Sequence, residues 1–525
     1  MIFFTALGSF HLFDWDEINF AESAREMLVT GEYLNVQIDF QPFWEKPPFF
    51  FWLQAISMKI FGVNEFAARF PNAVFGVIYL LTFYFIGRRW HGHRFGLMWA
   101  LLYFGTLLPH IYFRTGIIDP VFNYFILLSV FLTGLVAEGK AGNRGALLAG
   151  IMSGMSVITK GPVGFLILVL TAALVFIFRK FRSIPDIKYF LIFIAGLLMP
   201  ISIWLGAELY FHGTEIIVRF VRYQVELFSQ PVAGHGQPFY YHFVVVLLGC
   251  FPSSVFGLSR LITNKNDSDQ AWMSVWMRAL FWVVLILFSL STTKIVHYSS
   301  LTWPPLAYLA ARQLEDLRMP LPKITAWLYL LLAFLWTMAL TGVPCLLAHK
   351  ELLLSYIKDT LTRDMLSGDT GLSGYEWIAG LFFGVGCMLV FYRLRKNDPL
   401  RAVAIQSVVT AVVLTYFALA VVPAIENITQ GPAVRFFRSL QGQDVYVHTY
   451  GYKSYAQYFY SAKKPGLNPK YHDQYWLLRG NTDKPVYIVT RSTFTDLDSM
   501  PWFKLTAVEG GFKFYRRDPG MPQIR

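Results

Sequence analysis

The sequence predicts an α-helical polytopic membrane protein with about 13 transmembrane helices, interfacial helices in its first outer loop and a small extracytoplasmic α/β domain at its C-terminus. Three observations carry that fold class. Of 525 residues, 55% are hydrophobic and only 15% charged, against about 25% charged in ordinary globular chains. The apolar residues come in blocks such as FGVIYLLTFYFIG, GFLILVLTAALVFIF and YFLIFIAGLLMPISIWL. Each block is long enough, or nearly so, to cross about 30 Å of hydrocarbon at about 1.5 Å per residue. Phe, Trp and Tyr make up 18% of the chain, many at block ends, where aromatic rings line the lipid–water interface.

The spans fall at 1–13, 71–87, 95–112, 117–137, 145–159, 162–178, 189–207, 239–259, 275–292, 295–311, 324–345, 375–392 and 402–423. The first is short for a full crossing, and it has neither the basic flank nor the small-residue site of a cleaved leader. Alternate connections are basic: Arg88–Arg89–Arg94, Lys140 with Arg144, Arg179–Lys180–Arg182, Arg260 with Lys265, Arg312–Arg318–Lys323 and Arg393–Arg395–Lys396. The positive-inside rule places these six in the cytoplasm. The net charge of +12 therefore belongs to short loops and predicts no nucleic-acid partner. Cys250, Cys345 and Cys387 are spaced for neither a metal site nor a disulfide framework.

Residues 1–423 form the predicted transmembrane domain and 424–525 the extracytoplasmic α/β domain. In the latter, QDVYVHTY, KPVYIVT and FKLTAVEGGFKFYRR alternate as strands do, and KSYAQYFYSA suits a helix.

The first outer loop reads DWDEINFAESAREMLVTGEYLNVQIDFQPFWEKPPFFFW. Asp14 or Asp16 suits the cap of a helix starting near Glu17. Phe20, Ala24, Met27 and Leu28 form an apolar stripe, with Asn19, Glu22 and Glu26 on another face, so the helix is expected to lie in the interface plane and to end at Gly31. The prolines of WEKPP lead into a second interfacial helix, with Glu45 and Lys46 before it; as a plain surface ion pair these two contribute little. Asp119 sits at the outer mouth of an apolar span, where a carboxylate is costly and usually has a task. Its bland alternative is an ion pair with Arg114. Lys160 in ITKGPVGF, and Lys294, His297 and Tyr298 in STTKIVHYSS, make two more outward turns with isolated charges. Acids suit activation of an acceptor hydroxyl, and lysines suit a bound or leaving phosphate.

DEINFAESAREML, WEKPP, GIIDP, ITKGPVG, GHGQPFYYH and the turn from Lys294 to Tyr298 occur in one order over residues 14–310. Together they resemble the polyprenyl-phosphate-sugar glycosyltransferases of the C superfamily, especially the aminoarabinose transferase (ArnT) group and its protein O-mannosyltransferase relatives. The resemblance implies an inverting glycosyltransferase using an undecaprenyl-phosphate-sugar or similar donor, with a lipid A-like, protein or glycan acceptor. It implies Asp16 and Asp119 as catalytic carboxylates. Glu45, Lys46, Lys160, Lys294 and Tyr298 would then bind substrate around the donor phosphate, and Glu45 with His235 would share a divalent metal. It also implies a multi-pass protein of the inner (plasma) membrane, in contact with its lipids, with the site on the extracytoplasmic side. Asn19, Phe20 and Thr292 depart from the family's arginine, tyrosine and lysine at those places, which leaves the sugar and the acceptor open. Two other classes compete. A transporter would carry paired charges deep in several spans and internal repeats, and the sequence has neither. A surface-polysaccharide polymerase or ligase would lack the first-loop Asp-Glu and the Glu-Lys-Pro run.

Overall fold

The computed structural model describes residues 2–229, 236–262, 271–316, 321–466 and 468–520. The chain is a multi-pass membrane protein. Among the described residues, seven helices are long and apolar enough to cross a membrane: Glu65–His91, Asp119–Ala137, Ile187–His212, Trp272–Leu290, Lys323–Ala348, Ile378–Arg395 and Pro399–Thr429. Helix Val163–Phe178 is as apolar but shorter.

Ion pairs fix the direction of successive helices. Asp119 opens helix Asp119–Ala137, and Lys160 closes helix Asn143–Lys160; the two side chains meet at one end of the bundle. Glu138 and Arg179, just past the far ends of Asp119–Ala137 and Val163–Phe178, pair at the opposite end. Small residues let these helices close up. A Cβ on Gly150 would stand 2.1 Å from the Phe193 carbonyl oxygen, and one on Gly154 2.4 Å from that of Leu197. Helix Asn143–Lys160 therefore touches helix Ile187–His212 backbone to backbone, as spaced glycines allow in membranes.

Several predicted spans differ from the observed elements. Residues 2–13 form only a 3-10 turn at Ile2–Phe4 and further turns, with Phe3 and Leu7 buried in the main core. That stretch is too short for a crossing helix and instead plugs the bundle, where the Ile2 carbonyl accepts from Arg114 at 3.0 Å. The span expected at 95–112 is broken into His93–Phe104 and Leu107–Tyr112, and the one at 239–259 into Tyr241–Gly249 and Ser253–Ile262. The last helix continues through a π-helical turn, Phe417–Val421, to Thr429.

The first loop folds as helix Asp16–Thr30, a short hairpin pairing Gln37–Ile38 with Gln41–Pro42, and helix Phe49–Phe61. Gly31 ends the first helix in the left-handed conformation, its N–H returning to the Met27 carbonyl. The polar face of that helix is not exposed to solvent, although its stripe predicts that it should be. Residues 17 to 27 are all buried, Glu22 and Glu26 included. Two elements cover it: Ile18, Ala21 and Ala24 share one core with Val434, Phe437, Phe459 and Phe514 of the C-terminal domain, where Arg25, paired with Glu22, donates to the Lys463 carbonyl, and Glu26 accepts the Phe40 amide of the hairpin.

The C-terminal domain carries a four-stranded mixed sheet of Tyr446–Tyr450, Val486–Arg491, Lys504–Glu509 and Phe512–Arg517. The second strand pairs parallel with the first and antiparallel with the fourth, and the third lies outside the fourth. Gly510 and Gly511, with φ of 54° and 79°, make the turn of the last hairpin. The sequence KSYAQYFYSA contains helix Ala456–Tyr460.

Candidate active site

Glu17 and Arg69 organise the end of the bundle where Asp119 and Lys160 meet. Arg69 is fully buried, and its Nε and Nη2 donate to the two Glu17 carboxylate oxygens at 2.8 and 2.9 Å. Its remaining donors go to the carbonyls of Leu7, Phe10 and His11. Glu17 also accepts the backbone N–H of Phe13 at 2.8 Å and of Gly116 at 2.7 Å. One buried ion pair thus ties the turn before Asp16 to the loop before Asp119. Asn72 adds two bonds to the second loop, donating to the carbonyls of Thr115 and Ile117 at 2.7 Å each.

Asp119 is the first residue of its helix and 95% buried at the side chain; its Oδ1 takes a 2.5 Å hydrogen bond from Lys160 Nζ. The alternative partner, Arg114, bonds instead to Thr415, Leu414 and Ile2. Asp16 also opens its helix. It is not a capping residue, and neither is Asp14: the N-cap is Trp15, without a side-chain bond. His297 joins the two acids, its Nε2 lying 3.4 Å from Asp16 Oδ2 and 3.7 Å from Asp119 Oδ2. Burial raises the Asp16 pKa, but His297, Lys160 and Lys46 outweigh it and hold the carboxyl below its ordinary value.

Lys46 faces the same group of charges. Burial lowers its pKa and Glu45 opposes that; Lys160 lowers it further while Asp16 and Asp119 raise it, for a net depression. Glu45 lies 3.8 Å from the Lys46 ammonium and is partly exposed. The Tyr298 ring lies 5.2 Å from Lys160 Nζ. Asp16, Glu45, Lys46, Asp119, Lys160 and Tyr298 therefore meet in one place. Lys294 stands apart from the acids, buried with Nζ donating to the Ser291 carbonyl at 2.6 Å.

His235 lies outside the described residues. Among the described residues no group of three or more His, Cys, Asp or Glu side chains is arranged to hold a metal. Glu45 has an ammonium for its neighbour, which repels a cation. The expected Glu45–His235 pair is only half within the described residues.

His297 is the residue whose role sequence reasoning missed, although it belongs to the same turn as Lys294 and Tyr298. Its backbone is held by a polar chain. Its carbonyl accepts from Ser300, whose hydroxyl accepts from Asn123 at 2.7 Å and lies 3.0 Å from that of Tyr112.

Residues 45–206 match the family model described as dolichyl-phosphate-mannose-protein mannosyltransferase. Over 99% of the chain, the fold superposes on the crystal structure of ArnT from Cupriavidus metallidurans bound to undecaprenyl phosphate, covering 97% of that chain with a TM-score of 0.79 at 16% identity. The chain shares the fold of ArnT. An undecaprenyl phosphate-alpha-4-amino-4-deoxy-L-arabinose arabinosyl transferase from Aeromonas hydrophila is 27% identical over 60% of this chain and 58% of that protein. An uncharacterized protein of Aquifex aeolicus is 30% identical over 64% of this chain and 65% of its own length. The chain thus spans less than two thirds of the curated relatives it matches.

Proposed function

We propose that this chain is an inverting glycosyltransferase of the inner (plasma) membrane. It moves a sugar from a polyprenyl-phosphate donor to a lipid A-like, protein or glycan acceptor on the extracytoplasmic face. The observation that carries the reading is the meeting of Asp16, Asp119 and His297 with Lys160 and Lys46. Acids for an acceptor and cations for a phosphate are what such a transfer requires. The two catalytic carboxylates come from separate loops held in register by Glu17 and Arg69. The basic connections at the opposite end support an outward-facing site.

In this mechanism an acceptor oxygen attacks the anomeric carbon as the bond to the donor phosphate breaks. Polyprenyl phosphate leaves with the electron pair. When the acceptor is a hydroxyl, its proton passes to the Asp16 carboxylate, whose depressed pKa keeps it ionised at neutral pH. When the acceptor is a phosphate, Asp16 only positions it. Lys46 offsets the charge on the leaving phosphate, and Lys160 does so as it slackens from Asp119. Lys294 joins only after leaving the Ser291 carbonyl. Glu45 steadies Lys46, and the Tyr298 hydroxyl donates to the phosphate.

The test is transfer by the purified chain. The donor and acceptor pairs are undecaprenyl phosphate-alpha-4-amino-4-deoxy-L-arabinose with lipid A, and undecaprenyl-phosphate-mannose with peptide. Turnover with one pair, reduced about 100-fold or more in Asp16→Ala with undecaprenyl phosphate binding retained, is the expected result. No turnover with either pair, or an active Asp16→Ala, overturns the proposal.

A further inference from the structure

Asp16 leaves the chain from an unusual place. Trp15, the residue before it, has φ of 76° and ψ of −122°, a conformation a bulky side chain rarely adopts. Trp15 is half exposed, so burial of its own ring does not impose that conformation. Among the described residues, the nearest partner of Asp16 is His297 at 3.4 Å. Its direction is therefore set by the Trp15 backbone, and whatever holds Trp15 aims Asp16.

The hold comes from the other end of the chain. Asp14 Oδ1 accepts two backbone amides, that of Trp15 at 2.9 Å and that of Tyr455 at 3.1 Å. The Asp14 amide donates to Gln430 Oε1 at 3.3 Å, and Gln430 Nε2 donates to the Leu12 carbonyl at 2.7 Å. The Leu12 amide donates to the Tyr460 hydroxyl at 2.6 Å. Lys453 Nζ lies over the rings of both Trp15 and Tyr455, at 5.3 and 5.5 Å. On the opposite side Glu17 holds the Phe13 amide. The turn from Leu12 to Trp15 is gripped from both sides, and three of its four backbone amides end on residues beyond 429 or on the carboxylate those residues hold.

We infer that the C-terminal domain is a working part of the catalytic centre. Asp14 is a positioning residue that, together with the Tyr455 amide, Gln430 and the Tyr460 hydroxyl, holds the strained Trp15 turn and so aims Asp16 at the acceptor. This rests on the proposed transferase reading and adds that residues far from the transmembrane motifs set the geometry of the step. Misplacing a reacting group by about 1 Å costs about 100-fold in rate, so the clamp should act on turnover and not on donor binding.

The experiment compares the full-length wild type with Asp14→Ala, Asp14→Asn and Tyr460→Phe, using the donor and acceptor pair that turns over and undecaprenyl phosphate as binding probe. Asp14→Ala should lower kcat about 10- to 100-fold with undecaprenyl phosphate affinity unchanged. Asp14→Asn should recover most of that, because its amide oxygen accepts the same two N–H groups. Tyr460→Phe keeps the ring and loses the acceptor for Leu12, so its kcat should fall less. Amide hydrogen exchange on peptides covering 10–19 and 452–461 should quicken together in Asp14→Ala and not in Asp14→Asn. Wild-type turnover in Asp14→Ala, equal losses in the Ala and Asn variants, or unchanged exchange in both peptides overturns the inference. If the wild type transfers nothing, the transferase reading falls, and the exchange result alone decides whether the clamp exists.

Discussion

Lys46 keeps its proton less firmly than an ordinary lysine, because burial and Lys160 outweigh Glu45, Asp16 and Asp119. A depressed ammonium pKa means that the charge is lost earlier as pH rises. Affinity for undecaprenyl phosphate should therefore weaken as pH climbs through a value below 10.5, the ordinary lysine value. Titration calorimetry of wild type and Lys46→Arg from about pH 7 to pH 10 checks this, since a guanidinium keeps its charge over that range and should flatten the profile. Glu26 runs the other way. Burial and then Glu22 push its carboxyl up to about 9, against the Phe40 amide and Arg25. The unfolded chain ionises this group near pH 4.3, so between about pH 4.3 and pH 9 unfolding releases a proton and stability falls as pH rises. Glu26→Gln should remove that slope, raising Tm clearly at about pH 8 and little near pH 5. An equal gain at both pH values would mean that Glu26 is ionised in the fold.

Helix Asn143–Lys160 delivers Lys160 to Asp119 from its last residue, so its seating against helix Ile187–His212 governs that contact. The seating depends on Gly150, where an added Cβ would meet the Phe193 carbonyl at 2.1 Å. Backbone cannot give way as a flexible side-chain tip can. Gly150→Ala should destabilise the protein by about 1–3 kcal/mol, the usual range for overpacking. It should also lower activity by moving Lys160. Gly206, on helix Ile187–His212 with open space around it, is the control: Gly206→Ala should leave Tm where it is or raise it. Matching losses at the two positions would dismiss close packing as the cause.

For the molecule as a whole, the charged cluster and the C-terminal domain share one end of the bundle, joined through the first loop. The Glu138–Arg179 pair marks the other end. With Arg88, Arg89 and Arg94 inside by the positive-inside rule, reporter fusions after Arg94 and after residue 440 should report opposite sides of the membrane. The same side for both would mean that the site faces the cytoplasm, and the proposed substrate route would fail.

Composition and charge order determined a good deal alone. Apolar blocks mark helices wherever they are buried, so the multi-pass helical class and the strands of the C-terminal domain were legible from local pattern. The site motifs were legible too, because isolated charges beside apolar blocks stand out. What the pattern could not carry was partnership. Glu17 looks like an ordinary first-turn acid until Arg69 is seen buried against it, and His297 looks like a loop residue until two aspartates from distant loops approach it. The polar face of helix Asp16–Thr30 looks wet until Lys463, hundreds of residues later, meets the Glu22–Arg25 pair and the hairpin meets Glu26. Hydropathy is a property of a segment, whereas an ion pair, a strained turn or a covered face is a relation between segments far apart in the chain. Only the tertiary structure decides which segments meet.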